Sequence, residues 1–356
     1  MIYNKLNLKG LSKITSIILV FFLFLIGFSF YYFYLFDETG DNSLIKNKSP
    51  QDCFFRRKID GLCVNSKEET NPWPVALMID NHPDSWPQYG LSAAPLVYST
   101  LVEGGNTRLM AVYAGDEAEK IGPIRSARPY YVSWAKEINA LYGHSGGSTE
   151  AIEKIREYQV LNLEEATSYG PFYIWRDRTG EFFAPHNLLS STEKIEKALV
   201  DFNLATSTSS YQAWQFDEHA SSTVDRALEI KIDYSAGSLF DIEYKYNTTT
   251  AMYLRYQNNE AFIDRLTGEQ FGIKNVIIQF VPAEIHLDAE DRLRIETLGQ
   301  GKAWIFYDGK ISQGRWIRNK VNERTKYFDE FGQEMIFKPG NTWIEVVPGE
   351  REVIFN

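Results

Sequence analysis

Residues able to do chemistry concentrate in IGPIRSARPYYVSWAKEINALYGHSGGS, positions 121–148. Arg125 and Arg128 stand just before Pro129, and proline at a first helical position predicts a helix over YYVSWAKEINA with both guanidinium groups at its N-terminus. That end of a helix favours an anion. Further on, residues 140–143 read as a short buried strand, His144-Ser145-Gly146-Gly147 breaks it, and Ser148 is placed to N-cap a helix TEAIEKIREY. A strand, glycine turn and helix in that order aim backbone N–H groups at one spot, where glycine lets a ligand come close. The expectation is an anion site in which Arg125, Ser126, Arg128, His144, Gly146, Gly147 and Ser148 contact the ligand. The plainer alternative is that the arginines pair with surface carboxylates and the glycines only turn the chain.

Further polar groups follow in a segment rich in Phe, Tyr and Trp: Arg176, Asp177, Arg178 and Pro185-His186-Asn187. Arg176, His186 and Asn187 are expected to join the same cleft, with His144 and His186 lining it. Gly143-His144-Ser145-Gly146-Gly147 also matches G-x-S-x-G, and Asp177 and His186 follow in the order of a serine hydrolase, which makes Ser145 an alternative nucleophile. The pattern is short, and Asp177 and His186 are only nine apart. Asp80 and His82 close the apolar run VALMI, at the strand end where open α/β sheets bind ligands, but Asp-Asn-His-Pro reads as turn chemistry before metal ligation. No metal and no cofactor is expected.

The elements that must position these groups fall into an ordered series. Positions 14–36 carry no charge, and these 23 mostly apolar residues at ~1.5 Å each cross a ~30 Å hydrocarbon core, so a transmembrane anchor is predicted there. Lys5, Lys9 and Lys13 precede it while Asp37, Glu38 and Asp41 follow, placing the tail 1–13 in the cytoplasm and the rest outside. The formal charge is −10, and those three lysines account for +3 of it, leaving −13 beyond the span. Such an acidic surface repels phosphate backbones, so nucleic acid is excluded as a partner and a local arginine cluster stands out. Positions 37–70 hold a polar tether and a hairpin whose Asp60-Gly61 turn brings Cys53 and Cys63 together as a disulfide. An α/β domain is expected over 71–205: strands VALMI, PLVYSTLV and TRLMAVYAG, then helices from Pro129, Ser148 and Ser190, the last with Glu193 as a capping box. A Ser/Thr-rich linker spans 206–228. In FDIEYKYN apolar and polar residues alternate, and turns at Asn258-Asn259, Asp308-Gly309 and Phe331-Gly332 punctuate the strands after it, giving a mainly antiparallel β domain over 229–356.

The stretches VALMIDNHPDSWPQYGLS, LVEGGNTRLMAVY, EKIGPIRSARPYYV, HSGGSTEA, Trp175-Arg176-Asp177 and APHNLL resemble the YerB-like family of bacterial extracytoplasmic proteins, defined by a domain of unknown function. TGEQFGIKNVII, GKAWIFYDGK and PGNTWIEVVP carry the resemblance through the second domain. It implies a two-domain envelope protein and no established reaction. The chain departs at Leu189, where the family pattern implies an aromatic. The layout of anchor, Asp-ended strand, arginine segment and Gly-Gly turn is also similar to that of the LytR-CpsA-Psr phosphotransferases, which use arginines to hold a lipid pyrophosphate. That likeness implies an anionic, lipid-linked or cell-wall ligand for Arg125, Arg128 and Arg176, and phosphotransfer as an alternative to binding. A reporter fused after Asn356 is expected to be active only outside the cytoplasm; activity inside would refute the predicted topology.

Overall fold

Flanked by Pro74 and Asp80, VALMI has no polar position, as a strand covered on both faces requires. In the computed structural model it is strand β1 (Val75–Ile79), buried at every residue. Described are residues 53–220, 226–234, 237–288 and 291–356, of which the unit from Cys53 to Asn356 is compact. The predicted tail, span and polar spacer lie outside the described residues, among which no helix is long and apolar enough to cross a membrane. The fold is mostly β with few helices.

Strand β1 lies inside a ten-stranded sheet. The other strands are β2 (Leu96–Leu101), β3 (Thr107–Tyr113), β4 (Leu141–His144), β5 (Leu161–Glu164), β6 (Asn275–Val281), β7 (Gly299–Tyr307), β8 (Lys310–Arg318), β9 (Lys326–Asp329) and β10 (Thr342–Pro348). Their order is β9-β8-β7-β6-β10-β2-β3-β1-β4-β5. Pairing is parallel for β1 with β4, β4 with β5, β2 with β10 and β10 with β6, whereas β3 runs antiparallel to both β1 and β2. The carboxyl ends of β1, β2, β4, β5, β6 and β10 therefore share one edge with the start of β3. Asp80, Glu103, Arg108 and the glycine turn lie there.

A second, antiparallel sheet holds Glu260–Ala261, Met252–Gln257, Ile242–Asn247, Glu229–Ile232 and Val353–Phe355, with Gly272–Ile273 also paired to Met252–Gln257. Ile242 and Tyr244 are buried while Glu243 and Lys245 are not, the predicted alternation, and the buried face joins one core with Val276, Ile278 and Trp343 of the large sheet. Helix α1 (Pro129–Glu137) covers the opposite face with Tyr130, Tyr131 and Trp134; α2 (Thr149–Glu157) and α3 (Thr192–Asp201) follow. The cap of α3 falls one residue later than expected. Ser191 accepts from the N–H of Lys194, because Ser190 is drawn into a bridge with Ile121 and its hydroxyl donates to the carbonyl of Tyr173. Cys53 and Cys63 are joined, and Phe55–Arg56 pairs antiparallel with Cys63–Val64 around a turn in which Gly61 takes φ +71°.

Two buried carboxylates tie the packing together: Glu137 joins α1 to residues 324–325, and Glu345 joins the large sheet to the second one. Glu137, at the end of α1, accepts from Arg324 Nη1 at 2.7 Å, Thr325 Oγ1 at 2.8 Å and the Tyr98 hydroxyl at 2.9 Å. Glu345 of β10 accepts from the hydroxyls of Tyr244 and Tyr234 at 2.5 and 3.1 Å and lies 3.5 Å from Arg255 Nε; both charged residues are 0% exposed. Removing one member of such a pair leaves an uncompensated charge, a loss of about 3–5 kcal/mol. Glu345→Ala is expected to lower stability by that amount in urea unfolding; a loss below about 1 kcal/mol would show that the pair is not compensated as described.

Candidate anion-binding site

Sequence order and sheet geometry together lay residues 124–128 along the carboxyl edge. The N–H of Arg125 donates to the carbonyl of Met78 and its own carbonyl accepts from Ser145; Ala127 N–H donates to Gly146, and Ser148 N–H to Ala127. The arginine segment is thus an added strip between the end of β1 and the glycine turn. Arg125, Ser126 and Arg128 lie beside Gly146, Gly147 and Ser148, but the N–H of Gly146 is taken by Glu164 Oε1 at 2.8 Å and that of Ser148 by the carbonyl of Ala127. Tight packing demands the glycines: Gly146 takes φ +65°, and a Cβ on Gly147 would stand 3.2 Å from both Ala127 Cβ and Ile152 Cδ1. Ser148 caps α2 by accepting from the N–H of Ala151.

The guanidinium groups do not fan into one open cleft. Arg125 Nε lies 2.9 Å from Asp80 Oδ2, and Arg128 grips Glu103 with two bonds of 2.5 and 2.8 Å while also donating to the carbonyl of Ala127. Behind them is a third, Arg108, 7% exposed, whose Nη1 donates to the carbonyl of Ser126 and whose Nε has no partner among the described residues. Around Arg108 three cations thus face two carboxylates, while Glu164 and Glu165 hold the adjoining glycine turn. Burial, then repulsion from Arg128, pushes the Arg108 guanidinium below its ordinary value against the pull of Asp80 and Glu103, with Arg125 adding to the repulsion. For Glu103 burial works upward, yet the hydrogen bonds and charge of Arg128 hold its carboxyl below the usual range. A cleft of about 250 Å3 between the starts of α1 and α2 contains Arg128 and Arg292 but also their partners Glu103 and Asp288, and Glu150 and Glu153 besides, so it is acidic on balance. The partly exposed side of the arginine strip is instead Arg125–Ser126, beside the exposed Gly146 and Gly147.

Several expected site residues lie elsewhere. His144 is 0% exposed and lines no cleft: its Nδ1 sits 2.9 Å from the carbonyl of Gly146 and 3.0 Å from Glu164, its Nε2 2.8 Å from Asn162 Oδ1, so it fastens the turn from within. Ser145 donates to Glu165 at 3.0 Å. Asp177 holds Thr179 and receives no histidine, while His186 turns Nδ1 to Asp80 at 2.7 Å. The serine, aspartate and histidine of the hydrolase pattern are therefore not assembled. Arg176 is exposed and donates to Asn187 at 2.6 Å; Asn187 in turn donates to the carbonyl of Asp177, a local arrangement around the strand pair Trp175–Arg176 and Leu188–Leu189. Leu189, in place of the aromatic, is buried against Tyr89 and Phe182.

His186 does reach the site, through Asp80, and stacks on His82 at 4.8 Å between ring centroids. Asp80 and His82 do form the expected turn: Asp80 Oδ1 accepts from the N–H of His82, and His82 Nδ1 from that of Asp84. They also hold the site. Glu103 and Arg108 were missed, although an arginine inside the apolar run TRLMAVY was the readable signal, since a charge in a buried strand requires partners.

Residues 60–205 match the N-terminal domain of a protein of unknown function, DUF3048, and residues 230–344 match the DUF3048 C-terminal domain. YerB of Bacillus subtilis (strain 168), named as a candidate lipoprotein, is 29% identical over 279 residues, 77% of this chain and 81% of YerB. The crystal structure of YerB from Bacillus subtilis matches with a TM-score of 0.73 at 26% identity, over 84% of this chain and 99% of that one.

Because the folded state holds the Glu103 carboxyl below its usual value, its contribution to stability is complete above the ordinary carboxylate pKa and fades as pH falls through the depressed one. Glu103→Gln is expected to melt below wild type at pH 7, with the gap closing below about pH 4 as the native carboxyl protonates. A gap independent of pH would contradict the ion pair.

Proposed function

The chain belongs to the DUF3048 family, which has no assigned activity, and we propose that it is a membrane-anchored extracytoplasmic envelope protein that binds a phosphorylated or carboxylated cell-wall component without transforming it. The observation that carries this reading is the charge imbalance at the sheet edge: Arg108, Arg125 and Arg128 against Asp80 and Glu103. An anion seated on Arg125 and the Ser126 hydroxyl would offset the repulsion that Arg108 experiences in a region of low dielectric. Elsewhere the exposed part is acidic, so the attraction is local and disfavours nucleic acid.

Location rests on three supports. The relative YerB carries a lipoprotein name, the disulfide suits an oxidising compartment, and both cysteines of the sequence are used in it. No cysteine is thereby left for a lipid, and the apolar positions 14–36 serve as the anchor. The finer architecture follows the same reading: an α/β part over 71–205 displays the site, and the β part over 229–356 supports it from the adjoining strands.

The test is calorimetric titration of the full chain, in mild detergent, with peptidoglycan fragments, glycerol-phosphate polymers and a polyprenyl pyrophosphate analogue. Binding of one of these classes is expected, and Arg125→Ala should weaken it ten- to a hundredfold, the ~1.5–3 kcal/mol of a charge-assisted hydrogen bond. Arg226→Ala, at an exposed arginine bridged to Lys310 at the start of β8, should change it by no more than ~1 kcal/mol. Equal effects of the two substitutions, or no binding by any class, would contradict the proposal.

A further inference from the structure

We propose that His82, Asp84 and His186 bind one divalent transition-metal ion of the zinc class. One ligand atom from each of the three lies within 4.8 Å of the others. His82 Nδ1 is 3.5 Å and His186 Nε2 3.9 Å from the same Asp84 oxygen, Oδ2. A tetrahedral ion with bonds of about 2.0–2.1 Å separates its ligands by about 3.3 Å, so the site closes when the half-buried His82 ring turns off its stack on His186 and the exposed Asp84 follows.

The tautomers favour ligation. Asp80 Oδ2 accepts from His186 Nδ1 at 2.7 Å, which puts the proton on Nδ1 and leaves Nε2 with its lone pair toward Asp84. This is the carboxylate–histidine arrangement that orients an imidazole toward a metal. His82 Nδ1 accepts from the N–H of Asp84 at 3.2 Å, so that nitrogen is also unprotonated; the ion would take the place of this weak donor. A local turn accounts for the contact between His82 and Asp84 but not for His186, which arrives 106 positions after Asp80 and lays its ring over that of His82.

The platform is rigid. Ser85 fixes the carbonyl of His82 through its hydroxyl at 2.6 Å and its N–H at 2.8 Å, and Trp86 Nε1 donates to Asn81 Oδ1 at 2.8 Å, anchoring the turn at both ends. Two imidazoles and one carboxylate suit zinc, iron, cobalt or nickel and not calcium or magnesium, and three protein ligands leave a position for water or an anionic oxygen. The ion would sit on the Nε2 side of the His186 ring, away from Asp80 and Arg125, so the inference stands on its own residues and its test uses metal without any anion.

The experiment titrates Co2+ into the full chain, purified without a histidine tag and treated with chelator, while recording the visible absorption of the bound ion. One equivalent is expected to give d–d bands that one equivalent of Zn2+ abolishes. Asp84→Ala and His186→Ala should each weaken Co2+ at least tenfold, Asp80→Asn ten- to a hundredfold with all three ligands retained, and His219→Ala, an exposed histidine elsewhere, should leave it unchanged. Circular dichroism of the metal-free variants verifies folding; should the Asp80 or His186 variant unfold, the exposed Asp84→Ala decides the matter alone. Absence of stoichiometric cobalt bands, or equal affinity in Asp84→Ala and His219→Ala, would overturn the site.

Discussion

A carboxylate buried to 3% exposure at the end of a central strand must be compensated, and Asp80 is where the molecule meets that demand. Its oxygens take the N–H of His82, the imidazole of His186 and the guanidinium of Arg125, drawing three separate stretches to one point. The next residue, Asn81, extends the hub: its amide donates to Thr107 and Gln257 and its carbonyl oxygen accepts from Trp86 and Gln88. Gln257 also accepts from Arg255, the partner of Glu345. Two consecutive residues thus join the loops of the site to the strands after residue 229.

The sheet edge explains why chemistry collects there. Seven strands end on it, β8 among them, and each end leaves loops whose backbone groups need partners. The arginine strip supplies some of them, bonding to Met78, Gly146 and Ser145, and so fixes the orientation of its side chains through the backbone. His144 and Glu164 act from beneath, holding Gly146 by its carbonyl and its N–H.

Much of this was legible from local pattern. Continuous apolar runs gave the buried strands, Pro129 and Ser148 marked two helix starts, Asp60-Gly61 marked the hairpin, and alternation gave Ile242 and Tyr244 their buried face. What local pattern could not supply was pairing across long separations. The parallel pairing of β10 with β2 joins residues nearly 250 positions apart in sequence, and Glu103 reaches Arg128 only because β2 ends beside the arginine strip. For the same reason His144 read as a ligand contact although its ring points inward, and Asp84, a solvent-facing turn residue in sequence, gains meaning only when His186 folds over the turn. The family resemblance identified which segments belong together without showing which side chains face a ligand.

The central claim is that the edge formed by Arg108, Arg125 and Ser126 seats an anion. Diffraction from crystals soaked in tungstate, a phosphate analogue with strong anomalous scattering, locates such an anion directly. The account predicts an anomalous peak within hydrogen-bond reach of the Arg125 guanidinium and the Ser126 hydroxyl. Peaks confined to surface lysines or to other helix N-termini, with Arg125 still closed on Asp80, would contradict it.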